Sequence, residues 1–152
     1  MDRRTLLAGA GAVLLGAATS AMGQGAEVLT IELNVGDNMR YTPSVIQAHP
    51  GQRVRIVLKG VGKLAALGHN FVLLKKGTVP KDFVDKAGRA TEETGSIPPA
   101  MNDQAIVATA LVRPGESAEV TFEAPAEVGK YAFVCSFPGH FGLGMKGLLV
   151  VR

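Results

Sequence analysis

Short segments in which apolar and polar residues alternate dominate this sequence, and they restrict the chain to folds built from β-strands. In the segment 29–35 every second residue is apolar. A period of two turns one face of a strand towards a core and the other towards solvent. The segments 53–58 and 117–122 repeat this alternation, each shortly after a Pro-Gly turn signal. The sequence therefore predicts a β protein with many short strands.

The remaining segments complete a two-layered arrangement. The apolar stretch 71–74 is typical of a strand covered on both sides, and Pro80–Ala87 predicts a short helix before a polar, proline-containing loop that runs to Gln104. Further strands are predicted at 45–46, 105–111, 130–135 and 146–151. Seven or so short strands with regular turns favour an all-β fold, a Greek-key β-sandwich with a short helical excursion between strands.

The first 23 residues have the three-part layout of an export signal peptide. Arg3 and Arg4 precede an apolar run at 6–18, and small residues follow up to Gly23. The paired arginines indicate the twin-arginine route. The apolar run is shorter than the roughly 20 residues that span a bilayer. We therefore predict a signal at 1–23, a single domain at 24–152, and a periplasmic or otherwise exported protein, which would be membrane-bound only if the leader stayed uncleaved.

The charge pattern gives no support to a nucleic-acid partner. Loss of residues 1–23 reduces the 16 basic and 13 acidic residues to 14 and 12, so the mature net charge is +2. Neither a basic run nor an alternation of aromatic and basic residues is present, and nucleic-acid binding requires a concentrated basic surface.

Cys135 is the only cysteine in the chain. A single cysteine in an exported protein is an intermolecular bridge, a buried inert thiol or a working sulfur. Its neighbours favour the last, because His140 follows after four residues and Met145 after four more, with His69 far upstream. One thiolate, two imidazoles and one thioether suit a trigonal copper site with a weak axial methionine. The sequence therefore predicts one copper ion held by these four residues.

The other histidine and the other mature methionines lack such spacing. His49 precedes Pro50 at a turn and is interpreted as structural. Met39 and Met101 are interpreted as packing residues. Because methionine is a common core filler, packing is also the alternative interpretation for Met145.

Gly68-His69-Asn70, together with the CSFPGH segment at 135–140, resembles the azurin branch of the cupredoxins, the blue type 1 copper proteins. The resemblance extends over most of residues 27–152. It implies a cupredoxin fold and one type 1 copper ion that cycles between Cu(II) and Cu(I). It also implies that Gly68 offers its carbonyl as a distant contact to copper, and that Asn70 ties the two ligand loops together through hydrogen bonds.

The sequence departs from azurins in one spacing. Azurins have three residues between the second histidine and the methionine, whereas four separate His140 from Met145. This spacing is similar to that of auracyanin, a related blue copper protein of green photosynthetic bacteria. The disulfide of azurins is also absent, since the chain has one cysteine.

The predicted function is the transfer of single electrons through an exposed edge of His140, without a small-molecule substrate. Redox partner proteins are expected to dock near His140 on an apolar patch formed by 61–67, Phe141 and Leu143. Lys63 at the rim would favour acidic partners. The alternative for these side chains is that they pack over the copper.

The sequence leaves two other functions to consider. A copper carrier or storage protein without a redox role is the alternative, although such proteins tend to cluster methionines, and here they are scattered. A copper enzyme needs ligands for a further copper centre, and His49 alone remains after two of the three histidines are assigned. We therefore predict that the protein is not an enzyme.

Overall fold

The computed structural model describes residues 27–152, so the export signal predicted at 1–23 lies outside the described residues. The described chain forms nine strands, one α-helix and a short 3-10 helix at Pro99–Met101. In chain order these elements are β1 Leu29–Val35, β2 Tyr41–Thr42, β3 Val45–Ala48, β4 Arg53–Gly60, β5 Val72–Leu74, α1 Pro80–Thr94, β6 Ala105–Ala108, β7 Ser117–Glu123, β8 Gly129–Val134 and β9 Lys146–Val151.

The strands form two mixed sheets. The first has the order β2-β1-β4-β7 and the second the order β3-β9-β8-β5-β6. The β1–β4 and β3–β9 pairs are parallel and the others are antiparallel. This architecture confirms the predicted two-sheet β fold with one helical excursion.

The alternating pattern places the core between the sheets. On β4, Val54, Ile56 and Leu58 have no exposed surface, whereas Arg55 points outwards and pairs with Glu119 of β7 at 2.5 Å. Exposed ion pairs of this kind contribute at most about 1 kcal/mol, while each fully buried aliphatic side chain contributes about 1.5–3 kcal/mol. Burial of the apolar face therefore fixes the strand register.

Phe133 of β8 joins the two sheets near their ligand-bearing end. Its ring packs edge-on against Tyr41 of β2, with centroids 5.0 Å apart, and lies 5.1 Å from the ring of Phe71. The Tyr41 hydroxyl donates a hydrogen bond of 2.6 Å to the carbonyl of Asn70. The first sheet is thus bonded directly to the segment that carries His69.

Helix α1 is longer than the sequence predicted. It ends at Thr94 rather than Ala87, and Gly95, with a φ of 76°, closes it. Its buried face includes Phe83, Ala87 and Thr91, and the apolar members pack on Val72, Leu74 and Val134 of the second sheet. The prediction stopped early because the residues after Ala87 are mostly polar and were interpreted as a loop; Thr91, one of them, is buried, and its hydroxyl is satisfied by the Ala87 carbonyl at 3.1 Å.

The prediction also missed β2, whose two residues are too few to show a period of two. The apolar stretch 71–74 is buried on both faces as predicted, because Leu73 faces the core between the sheets while Val72 and Leu74 face α1. In residues 27–152, none of the helices has the length and apolar character that crossing a membrane requires.

Gly147 of β9 lies opposite Phe133 of β8, and a Cβ at Gly147 would collide with the Phe133 ring and the Ser44 carbonyl. We expect Gly147→Ala to destabilise the metal-free protein by about 1–3 kcal/mol, as overpacking does elsewhere, measured by urea denaturation. Gly142→Ala is the control, because its nearest neighbour would lie at 3.5 Å. Equal stability of the two variants would contradict the close packing of β8 and β9.

Candidate metal centre

The structure brings His69, Cys135 and His140 together at one end of the sandwich. Their potential ligand atoms all lie within 4.8 Å of one another. The Cys135 Sγ atom is 3.4 Å from His140 Nδ1, and the two imidazole rings have centroids 4.9 Å apart. Two segments that are distant in sequence therefore supply one cluster.

All three side chains are buried, and this corrects one expectation. His140 is 3% exposed, so the exposed edge that the sequence analysis expected is narrow at most. The Phe137 ring lies against the His140 ring with centroids 4.6 Å apart and covers part of it. Water is thus largely kept from the cluster by neighbouring side chains.

The loop from Cys135 to Met145 is held at both ends by backbone hydrogen bonds. Cys135 follows β8, and its N–H donates to the Met145 carbonyl at 3.3 Å. The Met145 N–H donates to the His140 carbonyl at 3.0 Å. Met145 has no exposed surface, and its sulfur as the axial ligand stays a prediction.

The backbone on either side of His69 is fixed by Leu111 and Val112. His69 N–H donates to the Val112 carbonyl at 2.9 Å, and Val112 N–H donates back to the His69 carbonyl at 2.8 Å. A Cβ at Gly68 would lie 3.0 Å from the side chain of Leu111, so a glycine permits this close approach. The contact of the Gly68 carbonyl with copper stays a prediction.

The cluster fits a metal ion, as the Nδ1 atom of His69 indicates. In residues 27–152 it is the only fully buried side-chain nitrogen or oxygen without a hydrogen-bond partner. Such an atom costs about 1–3 kcal/mol if it stays unpaired. A metal cation would satisfy its lone pair, and two imidazoles with a thiolate are a donor set that suits copper. The residues present therefore fit the predicted ion.

Burial also sets the protonation of the cluster. It raises the pKa of the Cys135 thiol to about 11, although the backbone N–H groups of Asn70 and Phe137 act in the opposite direction. It lowers the pKa of His140 to about 4, helped by the neighbouring His69, and it lowers the pKa of His69 as well, opposed by Asp37. The metal-free site thus offers neutral imidazoles at pH 7, and copper must displace the thiol proton.

Asn70 links the His69 segment to the Cys135 segment. Its Nδ2 donates to the Ser136 hydroxyl at 2.9 Å, and its Oδ1 accepts the Ser136 N–H at 2.9 Å. Both residues have no exposed surface. Asn70 is therefore placed to orient the ligand segments from the side.

Two residues that the sequence analysis did not single out fix the outer loops. Asp37 accepts hydrogen bonds from the backbone N–H groups of Lys63 and Leu64, at 2.9 and 3.2 Å. The Arg40 guanidinium donates to the carbonyl of Leu143. The sequence contains no pattern that predicts these contacts, because they depend on the turn that brings residues 37–40 beside the loop at 63–64 and the loop that contains Leu143.

The remaining histidine and methionines lie elsewhere. His49 Nδ1 is 3.0 Å from the Arg152 carbonyl, and His49 does not belong to the metal-ligand cluster. Met39 and Met101 are 9% and 7% exposed and belong to two different apolar cores. Their interpretation as packing residues agrees with this placement.

The stability of the metal-free protein should depend on pH through the ligands. Between pH 4 and 6.5 the unfolded state binds the proton that folded His140 excludes, so stability rises with pH in this window. Between pH 9.0 and about 11 folded Cys135 keeps a proton that the unfolded thiol loses, so stability falls as pH rises. Urea denaturation across this range measures both changes.

His140→Gln should weaken the acid limb of this profile, to which buried His69 also contributes, and Cys135→Ser should weaken the alkaline limb. Tyr41, whose pKa is raised well above 10.0 by burial and by Cys135, sustains the rest of the alkaline limb. An acid limb unchanged in His140→Gln would contradict the buried, neutral state of this imidazole.

Comparison with known proteins matches residues 27–152 to the copper binding proteins of the plastocyanin/azurin family. Auracyanin-B of Chloroflexus aurantiacus is 40% identical over 83 residues, which cover 55% of this chain and 35% of auracyanin-B. Azurin of Alcaligenes faecalis is 34% identical over 126 residues, covering 78% of this chain and 94% of the azurin. The predicted resemblances to azurin and to auracyanin are both confirmed.

A solved structure shows the same fold. Auracyanin A of Chloroflexus aurantiacus, described as a "blue" copper protein, superimposes with a TM-score of 0.71 at 30% identity, covering 83% of this chain and all of that one. The family match spans the whole described region and includes the buried cluster of His69, Cys135 and His140. The chain therefore belongs to the plastocyanin/azurin family of copper binding proteins.

Proposed function

We propose that this protein carries single electrons on one type 1 copper ion. The observation that carries the proposal is the buried cluster of His69, Cys135 and His140, whose ligand atoms lie within 4.8 Å of one another. Copper, when bound, supplies a centre that alternates between Cu(II) and Cu(I). Met145 would serve as the weak axial ligand. The family membership and the description of auracyanin A as a "blue" copper protein support this function.

The protein contributes rigidity and exclusion of water. The paired hydrogen bonds between His69 and Val112 and between Asn70 and Ser136 hold the ligand segments in the metal-free chain. A site prepared in this way limits how far its ligands rearrange when the charge of the centre changes. A small rearrangement favours fast electron transfer.

The burial of the ligands favours a redox carrier over the alternative, a copper carrier or storage protein. His69, Cys135 and His140 are 2%, 0% and 3% exposed, and a protein that passes its metal on needs ligands within reach of an acceptor. Catalysis at a further copper centre finds no support, because the third histidine, His49, contacts the Arg152 carbonyl instead. We therefore propose that the protein transforms no substrate.

Redox partners are proposed to dock on an apolar patch beside His140. We define the docking patch as Val61, Leu64 and Leu143, which are 61%, 55% and 59% exposed. Asp37 and Arg40 lie in one turn and bond both loops of this patch. Asp37 accepts from the backbone beside Leu64, and Arg40 donates to the Leu143 carbonyl. Brief electron-transfer encounters use small apolar surfaces of this kind. Exposed Lys63 at the rim would favour acidic partners.

The site of action is proposed to lie outside the cytoplasm. Residues 1–23 carry the layout of a twin-arginine export signal, and a membrane location would follow only from an uncleaved leader. Comparison of the amino terminus of the mature protein with residue 24 tests this part of the proposal.

Addition of Cu(II) to the purified protein should give an intense blue thiolate-to-copper band that a reductant bleaches reversibly. Cys135→Ser should remove this band. Met145→Gln should keep copper bound but lower the reduction potential, because an amide oxygen is a harder donor that favours Cu(II). His49→Gln is the matched control and should leave colour and potential unchanged. A blue band that survives in Cys135→Ser would defeat the assignment.

Leu143→Glu should slow electron self-exchange, because two molecules that meet through their docking patches would then bring like charges together. We expect the rate to fall on the order of tenfold or more at low ionic strength, given the cost of such contacts, and to recover partly with salt. Line broadening in NMR spectra of partly oxidised samples measures the rate. Val128→Glu is the control, since Val128 is 60% exposed and precedes β8, at the opposite end from Cys135. Equal effects of both changes would contradict the proposed patch.

A further inference from the structure

Helix α1 lies directly against the segment that follows Cys135. A Cβ at Gly88 would be 3.4 Å from Pro138 and 3.5 Å from the Ser136 carbonyl, so this turn of the helix lies within van der Waals contact distance of the ligand loop. Thr91 follows on the same face and has no exposed surface. Its hydroxyl oxygen is 2.8 Å from the hydroxyl oxygen of Ser136.

The direction of this hydrogen bond follows from counting protons. A threonine hydroxyl has one proton to donate. The Thr91 hydroxyl lies 3.1 Å from the carbonyl of Ala87, which can only accept, so the proton of Thr91 is used there. With this assignment the Ser136 hydroxyl donates to Thr91, while it accepts from Asn70 Nδ2 at 2.9 Å. The bonds form one directed chain from Asn70 through Ser136 and Thr91 to the helix backbone.

Ser136, in the middle of this chain, is the residue next to Cys135 in sequence. Ser136 stands between Cys135 and Phe137, and its own N–H donates to Asn70 Oδ1 at 2.9 Å. The backbone N–H groups of Asn70 and Phe137 are the two donors that lower the pKa of Cys135. A shift of Ser136 would move the Phe137 N–H and release the Asn70 side chain, so both donors depend on where Ser136 is held.

We propose that Thr91 is a positioning residue for the metal centre: it anchors Ser136 to helix α1 and thereby holds in place the segment that follows Cys135 and the Asn70 side chain bonded to it. Hydrogen bonds to a thiolate withdraw electron density from it, so the sulfur donates less to Cu(II) and the reduced state is favoured. The anchor therefore raises the reduction potential. This redox consequence rests on the proposed electron-transfer function, whereas the positioning role does not.

The test compares Thr91→Val, which removes the acceptor of the Ser136 proton, with Thr91→Ser, which keeps it. Thr94→Val is the matched control, because the Thr94 hydroxyl donates to the Ala90 carbonyl at 2.7 Å in the same helix but is exposed. The first readout is hydrogen exchange of the Ser136 amide in the metal-free protein. The second readout is the reduction potential of the copper-loaded protein.

We expect about tenfold faster exchange of the Ser136 amide in Thr91→Val, given the cost of a buried unpaired hydroxyl, and a lower reduction potential. Thr91→Ser and Thr94→Val should both stay close to wild type. The proposal is overturned if Thr91→Val matches Thr94→Val in both readouts, or if Thr91→Ser behaves like Thr91→Val.

If Thr91→Val does not fold, Thr91→Cys supplies the test, because a thiol sulfur is only a weak acceptor for the Ser136 proton. The Ser136 amide should then exchange faster in Thr91→Cys than in Thr91→Ser, and equal exchange rates would overturn the proposal. A wild-type protein without reversible redox chemistry that still shows the predicted exchange pattern would refute the electron-transfer function and leave the positioning role intact.

Discussion

The burial of three metal-ligating side chains in an apolar interior is the constraint on which the rest of the structure depends. Desolvation keeps both imidazoles neutral and the thiol protonated in the metal-free chain, and it leaves His69 Nδ1 without a partner. These conditions cost folding free energy that only a bound cation recovers. The metal-free chain thus holds its ligands in an energetically unfavourable arrangement that is suited to binding a metal ion.

Contacts with both sheets and with helix α1 hold the segments that carry the ligands. The first sheet contacts the His69 segment through the Tyr41 hydroxyl. Phe133 of β8 packs against the rings of Tyr41 and Phe71. Helix α1 reaches the Cys135 segment through Thr91. The first sheet thus restrains the His69 segment, and helix α1 restrains the Cys135 segment.

The strands and the ligands could be predicted from local information, while the contacts that position them could not. The alternation of apolar and polar residues predicted β1, β4 and β7. The even spacing of Cys135, His140 and Met145 predicted a copper site. The full length of α1 was missed because the residues after Ala87 are mostly polar, and the burial of Thr91 among them depends on a hydroxyl partner 45 positions away. The burial of His140 was missed for a similar reason, since it depends on how Phe137 folds back onto the ring.

The central claim is that sulfur and two imidazole nitrogens of this chain bind one copper ion together. X-ray absorption at the copper edge of the loaded protein tests it most directly, because the first coordination shell distinguishes sulfur from nitrogen. We predict one short copper–sulfur bond and two copper–nitrogen bonds for each bound ion. A first shell of nitrogen and oxygen alone would contradict the account.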